Sequence, residues 1–301
     1  MKQAVLFSIL LANLAYHSDA QKVDKQLQFL EKYEDSLATL RDYTLFTKSN
    51  EKRNEYNTAF LEVFKEVLSQ DASYEFNFDE IPALGDLRSP DNTFRMLTWN
   101  VPSNKRTHTY YCLLQVHQKN SKDYSLFELE DKSAEITRPL NKLLTSSKWY
   151  GALYSEIIPF KRNGKTQYII LGWDGNDEFT NKKIIEVLSF TKDNKPKFGA
   201  QVFKLSKGAP RRLIFEYAEE VTMSLRWEPK RKQIVFDHLS PTKEELKGIR
   251  QYYVPDMSFD AIELQKGTWV YLRDVDVRVK KGKYDQQYNT PTPPNLGSDI
   301  E

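Results

Sequence analysis

Short runs of β-type residues, separated by turn residues, fill most of the sequence after residue 72 and constrain its fold more than any other feature. The clearest pair lies at residues 150–160 and 168–173, both rich in aromatic and β-branched side chains. Between them, Asn163 and Gly164 form a dipeptide that accepts positive φ at low cost. This pattern predicts a β-hairpin, and the tight turn at residues 174–177 extends it to an antiparallel meander.

Similar runs recur along residues 72–280 at hairpin spacing. They lie at residues 93–101, 107–117, 124–129, 150–160, 168–173, 184–190, 200–205, 211–217, 222–227, 233–239, 259–264 and 268–279. We also expect an alternating strand at residues 74–78 and a short helix at 132–147, broken near Pro139. The sequence therefore predicts a mainly β fold whose antiparallel sheets form a sandwich, a barrel or a propeller-like meander.

An α-helical hairpin is predicted before these strands, over residues 21–71. Apolar residues recur at spacings of three and four in residues 22–48 and 50–70, and the break at 47–50 contains N-cap residues. We expect the two apolar stripes to pack on the chain's own β-rich part, the alternative being a partner helix.

The first 20 residues resemble an export signal. Lys2 is followed by an apolar run at residues 4–15, and small residues precede a cleavage site after Ala20. The run is too short to cross a bilayer, and the single cysteine, Cys112, is too far along the chain to anchor a lipid. We expect a periplasmic or secreted protein that is neither membrane-spanning nor a lipoprotein, with a disordered or polyproline-like tail at 281–301.

Net charge and the single thiol exclude further classes. The formal net charge of +2, with both signs interspersed, gives no sign of nucleic-acid binding. Cys112 lies in a predicted strand, and His117, five residues later, has no residue to orient it. We interpret Cys112 as a small buried hydrophobe, not as a nucleophile.

The most acidic turn offers Asp174, Asn176 and Glu178 as weak candidates for Ca²⁺ ligands. An EF-hand loop needs glycine at its sixth position and glutamate at its twelfth, where this chain has Phe179 and Ile185. An ordinary hairpin turn explains these residues without a metal, and we expect no cofactor.

Histidines provide one catalytic hypothesis. His238 follows Asp237 in a predicted strand, where neighbours point to opposite faces, so its partner would be Asp256 or Asp260. A structural or solvent-facing role is the simpler interpretation, also for His108, and we expect His238→Asn to change stability little.

Carboxylates provide a second catalytic hypothesis. Asp274 and Asp276 would share one face of a strand, a pattern that a half-solvated antiparallel strand also explains. Glu156 and Glu216 are alternative catalytic acids.

The structural interpretation of Glu156 and Glu216 is burial beside a core arginine, Arg212 or Arg226. Exposed tryptophans would favour a sugar-binding platform, whereas tryptophans in strands favour a β core.

Four phrases carry a resemblance to a known family: KWYGALY at 148–154, LGWDG at 171–175, FEYA at 215–218 and IVFDHL at 234–239. Over about residues 73 to 280 the chain resembles a family of uncharacterised exported proteins of Bacteroidetes-type bacteria. The resemblance implies a periplasmic setting and brings no catalytic residues.

Two functions follow from these patterns. The first is a non-enzymatic periplasmic binding or interaction protein with an envelope protein as partner, in one version an accessory of the outer-membrane secretion machinery. The second is a carbohydrate- or peptide-active hydrolase using Glu156, Glu216 or His238 with one of the late aspartates. A pocket that gathers two of these acids beside exposed tryptophan would favour the hydrolase.

Overall fold

The computed structural model describes residues 25–118, 124–206 and 208–277. Helix α1 occupies residues 25–46, and helix α2 spans Asn50–Leu68. The strands are β1 (Gly85–Arg88), β2 (Phe94–Pro102), β3 (His108–His117), β4 (Tyr124–Glu130), β5 (Leu144–Thr145), β6 (Leu153–Arg162), β7 (Lys165–Asp174), β8 (Thr180–Phe190), β9 (Pro196–Phe198), β10 (Phe203–Lys204), β11 (Leu213–Ala218), β12 (Leu225–Glu228), β13 (Gln233–Pro241), β14 (Tyr253–Gln265) and β15 (Thr268–Leu272).

Three open sheets are formed by the described strands, each built around a consecutive antiparallel meander. The first sheet has the order β1-β2-β3-β4. The second has the order β5-β9-β8-β7-β6, with β11 paired to the first half of β8. The third has the order β10-β15-β14-β13-β12, in which only the β10–β15 pair is parallel.

The sheets are stacked as layers, with the helices outermost. The predicted helical hairpin is confirmed, and its apolar stripe packs against the outer face of the first sheet, where Phe60 and Phe64 meet Trp99. Arg41 of α1 is fully buried and donates to the carbonyl groups of Pro82 and Asn100. The stripe therefore serves this chain's own core, as expected.

The second sheet lies in the middle and is buried on both faces. One face packs on the first sheet, with Ile170 and Leu188 against Phe94 and Met96. The other packs on the third sheet. Because both faces of this sheet are buried, the middle parts of β7 and β8 are nearly continuous apolar runs, without alternation of apolar and polar residues.

The first strands of the meanders lie side by side, because β1 and β12 both lie next to β6. Of the three arrangements predicted, the barrel is excluded, because the described sheets do not close. The mainly β prediction is confirmed. No helix in the described ranges is long and apolar enough to cross a bilayer.

Several local predictions are wrong. Residues 74–78 are not a strand; a 3-10 helix, Asp71–Tyr74, leads into irregular chain, and the first strand lies later, at Gly85–Arg88. Residues 132–147 do not form a helix: they contain two 3-10 turns, Ser133–Glu135 and Pro139–Asn141, and the short strand β5. Between the turns Arg138 has a left-handed φ of 54°, which an α-helix does not accommodate.

Asp274 and Asp276 do not lie on a strand. β15 ends at Leu272, and Asp274 has a φ of 54°, so the chain turns there and the predicted carboxylate pair on one strand face does not form.

Cys112 is fully buried, and burial raises the pKa of its thiol far above the usual range. His117 lies five positions further on the same strand and therefore on its opposite face. The two side chains do not form a nucleophile and base. The predicted signal at 1–20 and tail at 281–301 lie outside the described residues.

Candidate functional site

A polar cleft of about 610 Å³ opens between the second and third sheets. Strand β11 contributes Glu216 and β13 contributes His238, while the turn around Pro139 and the residues near Tyr253 complete the walls. Sheet packing brings together segments that are about 100 residues apart in sequence. We call this opening the polar cleft.

His238 and Asp260 form a close pair in the polar cleft. The Nδ1 atom of His238 lies 2.6 Å from Oδ2 of Asp260, whose side chain is almost fully buried. The hydroxyl of Tyr271 donates to the same oxygen, and the amide of Asp274 donates to the other at 3.0 Å. When Nδ1 donates to this oxygen, Nε2 is the ring nitrogen left to accept a proton.

Register explains how this pair forms. Phe236 of β13 lies opposite Asp260 of β14, and a bulge between Asp237 and Leu239 shifts the pairing at His238. The bulge also lets Asp237 and His238 line the same cleft, although neighbours on a regular strand face opposite ways. Of the two partners expected for His238, Asp260 is therefore the one in contact.

Asp256, the other expected partner, makes local bonds instead. It accepts from the hydroxyl groups of Ser240 and Ser258, at 2.7 Å each. Burial raises its pKa, but the hydrogen bonds from Ser258 and Ser240 outweigh that effect, so the pKa of Asp256 is lowered.

Glu216 lies in the polar cleft with His238, whereas Glu156 does not. Glu216 accepts a hydrogen bond of 3.0 Å from the hydroxyl of Thr180 and shares its face of β11 with Ile214. Glu156 lies at a bulge of β6 and accepts the backbone amide of Trp227 at 3.2 Å, joining the second and third sheets. The structure thus brings together two of the three catalytic candidates.

The core acid that pairs with an arginine is a third glutamate, Glu186. It is fully buried and lies 2.6 Å from Nε of Arg212, also fully buried. The predicted pairing of Glu216 or Glu156 with Arg212 is therefore wrong. Arg226 pairs with Glu228 at 2.9 Å.

Three cations line the polar cleft that no sequence pattern indicates as site residues: Arg138, Lys182 and Arg250. Lys182 lies on β8, whereas Arg138 precedes the 3-10 turn Pro139–Asn141 and Arg250 begins the turn Arg250–Tyr252, neither of which gives a periodic signal. The Arg250 guanidinium lies 4.8 Å from the ring centre of Tyr253. Only the proximity of these segments to β11 and β13 in the fold shows that these residues line the cleft.

A side lobe of about 380 Å³ adjoins the polar cleft, because Tyr150 and Lys182 line both openings. His108 and Asp174 lie in this lobe. Burial raises the pKa of Asp174 although Lys182, 3.8 Å away, opposes the shift. Burial likewise lowers the pKa of His108, with Asp174 acting against it. All three sheets therefore contribute polar residues around Tyr150 and Lys182.

The three candidate calcium ligands are dispersed between this lobe and solvent. Asp174 accepts from the hydroxyl of Tyr110 and the amide of Asn176, and the side-chain oxygen of Asn176 accepts from Lys182. Glu178 is exposed. Across the described ranges, no group of three or more His, Cys, Asp or Glu side chains has the spacing of a metal site.

An exposed tryptophan beside the candidate residues would further favour a hydrolase. No tryptophan is among the residues that line the polar cleft. Trp99, Trp149 and Trp269 are fully buried, as a β core predicts. Trp227 lies at a different opening, together with Trp269.

Comparisons with protein-family models, with curated proteins and with solved structures found no match to this chain.

Proposed function

We propose that this protein is an exported binding protein that holds a small anionic ligand in the polar cleft without transforming it. The observation that carries the proposal is the charge arrangement in the cleft. Its carboxylates are already hydrogen-bonded by the chain itself, whereas two arginines at its mouth are exposed.

Each carboxylate of the cleft accepts at least one hydrogen bond from another group of the chain. Glu216 accepts from Thr180, and Asp237 accepts the amide of Ser224 at 2.7 Å. Asp260 accepts from a histidine, a tyrosine and a backbone amide. These groups have little need of a cation from outside the chain.

The two arginines of the cleft, by contrast, have no ion-pair partner in the described residues. Both Arg138 and Arg250 are exposed. A guanidinium presents a planar fork of donors that matches a carboxylate or phosphate in two hydrogen bonds. Lys182 also lines the cleft, but it already pairs with Asp174 and donates to Asn176. A ligand with an anionic group would complete this arrangement.

The size and walls of the cleft suit a small molecule. Its volume lies within the range of about 300–1,000 Å³ that is typical of such sites. Tyr150, Phe215, Phe236 and Tyr271 contribute an aromatic wall against which the body of a ligand would pack. We infer a ring-sized organic anion, such as a sugar acid or a sugar phosphate.

Calorimetric titration of the purified protein with a panel of uronic acids, sugar phosphates and aromatic carboxylates tests this proposal. Arg138→Ala combined with Arg250→Ala should abolish binding without lowering the melting temperature, because both side chains are exposed. Lys192→Ala combined with Lys197→Ala removes the same charge from exposed positions outside the cleft and should leave binding unchanged. Binding that is equal in both double variants would contradict the proposed site.

A hydrolase is the second candidate, because Glu216 shares the cleft with the His238–Asp260 pair. His238 would take a proton from water, Asp260 would orient its ring, and Glu216 would protonate the leaving group of a carbohydrate or peptide. Neither serine nor cysteine is among the lining residues, so water itself would attack. The buried tryptophans do not add the sugar platform that this function would favour.

Turnover distinguishes the two candidates. A screen of chromogenic glycosides and peptides should show no hydrolysis if the cleft only binds its ligand. Activity that falls by about 10²–10⁴ in Glu216→Gln with stability unchanged would instead establish the hydrolase.

Export and an envelope partner belong to the same proposal. The sequence of residues 1–20 supports export, and amino-terminal sequencing of the periplasmic protein should find Gln21 first. The apolar stripe of the helical hairpin is buried on the first sheet and is therefore not available to a partner. An envelope partner, including secretion machinery, would have to recognise another surface.

A further inference from the structure

A second opening of about 580 Å³ lies at the other end of the second and third sheets. Along β7 the polar cleft lies near Lys182, which pairs with Asp174, whereas this opening adjoins Thr166 at the start of the strand. Its walls are mainly apolar and include Pro159, Phe160, Trp227, Pro229, Leu264 and Trp269. We call it the tryptophan groove.

The tryptophan groove has the character of a polyproline-binding surface. Trp227 and Trp269 meet edge to face at 5.9 Å between ring centres, and Trp227 is half-buried. Pro159 and Pro229 are exposed on either side. Grooves lined by aromatic rings bind proline-rich segments, which lose little entropy because their extended helix is already formed.

Two exposed lysines, Lys161 and Lys232, flank the groove. The acid beside them, Asp91, already accepts from the hydroxyl of Tyr168 at 2.6 Å and from the amide of Thr93. The groove therefore favours an apolar segment followed by acidic residues.

The chain itself contains such a segment after residue 288. Residues 289–301 hold Pro291, Pro293 and Pro294, then Asp299 and Glu301, and no basic residue.

The end of the described chain lies next to the groove. Arg231 donates a hydrogen bond to the carbonyl of Asp276, and the same β12–β13 turn supplies Pro229 and Lys232 to the groove. We propose that residues 289–301 of this chain occupy the tryptophan groove, with the prolines against Trp227 and the two acids near Lys161 and Lys232.

Reach and tethering support an intramolecular contact. The twelve residues 277–288 span up to about 40 Å when extended, more than a return to a neighbouring groove requires. A short flexible tether gives an effective concentration in the millimolar range, so that even weak docking would occupy the groove.

Photo-crosslinking in the full-length protein tests the contact. A photoreactive amino acid placed at Leu296 should crosslink to the stretches 157–162 and 226–232, which mass spectrometry identifies. The same probe at exposed Lys105, outside the groove, serves as the control and should not crosslink to either stretch. Mixing ¹⁵N-labelled and unlabelled protein shows whether the two crosslinked segments belong to one molecule.

Charge reversal makes the test specific. Lys161→Glu with Lys232→Glu should lower the crosslink yield about fivefold or more, since both acids lose their partners. Adding Asp299→Lys and Glu301→Lys should restore the yield. Crosslinks elsewhere, crosslinks only between molecules, or a yield that charge reversal does not change would each overturn the proposal. None of these outcomes bears on ligand binding in the polar cleft.

Discussion

Glu186 and Arg212 are both fully buried, and they are the residues in which charge and packing are most tightly coupled. Arg212 holds the glutamate at 2.6 Å and also donates to the carbonyl of Pro139, which lines the polar cleft. Burial raises the pKa of Glu186, while the guanidinium acts against that shift. The pair therefore anchors one wall of the cleft to the middle sheet.

We expect Arg212→Met to lower the free energy of unfolding by about 3–5 kcal/mol at neutral pH, because it leaves a buried carboxylate without its partner. The double variant with Glu186→Gln should recover much of that loss, since no buried charge remains. Urea unfolding of the wild type, both single variants and the double variant measures the coupling. Additive losses would show that the two residues act independently.

The pH dependence of that loss has a definite sign. Without Arg212, the folded-state pKa of Glu186 lies further above its ordinary value of 4.5, so the folded protein binds a proton more readily than the unfolded chain. Stability then falls as pH rises from about 4.5 through the raised pKa. The deficit of Arg212→Met relative to wild type should be smaller at pH 5 than at pH 8. An equal deficit at both would exclude Glu186 as its source.

His238→Asn is now expected to destabilise the protein, contrary to the expectation from sequence. The imidazole donates to the buried carboxylate of Asp260, which would keep only Tyr271 and the amide of Asp274 as donors. Loss of one bond to a buried charge costs about 1–3 kcal/mol. His117→Asn, at a half-buried ring without a carboxylate partner in the described structure, is the control. A melting temperature that is the same for both variants would contradict this role.

At the scale of elements, the Asn163–Gly164 turn of the β6–β7 hairpin agrees with the sequence in detail. Both residues have positive φ, 50° and 73° respectively. A side chain at Gly164 would meet no atom within 4 Å, so any cost of substitution comes from the backbone alone.

Gly164→Val should lower stability by about 1 kcal/mol or more, because a β-branched residue tolerates left-handed φ badly. For a chain of this size each kcal/mol corresponds to a fall of about 2 °C in melting temperature. Gly164→Asn is the matched control and should cost less, since asparagine accepts this conformation. Calorimetry of both variants gives the comparison, and equal melting temperatures would mean that backbone strain is not the cause.

The strands were predictable because their signals are local, whereas the cleft was not. The composition of β13 identifies a strand, and the sequence makes Asp260 a candidate partner of His238, but their contact depends on a bulge and on the register with β14. Arg138 and Arg250 gave no signal at all, because 3-10 turns lack a periodic pattern. Similarly, Glu186 lies inside an apolar run, and nothing local shows that it meets Arg212.

At the scale of the whole molecule, each interface between layers contains one fully buried tryptophan. Trp99 lies between the helices and the first sheet, Trp149 between the first and second sheets, and Trp269 between the second and third. The first and second sheets are each buried on both faces. Unfolding of one layer would therefore expose the face of the next, which favours loss of all layers together.

Fluorine NMR of protein labelled with 5-fluorotryptophan should detect this coupling. Phe64 of α2 is fully buried, packs edge to face on Phe78, and lies 6.0 Å from the ring of Trp99. Phe64→Ala should cost about 3–5 kcal/mol through lost burial and the cavity it leaves. The signals of Trp99, Trp149 and Trp269, assigned by single phenylalanine substitutions, should then disappear at one shared and lower urea concentration. If the Trp99 signal alone moved to lower urea, the helices and the outer face of the first sheet would form a separate folding unit, and the layers would not share their stability.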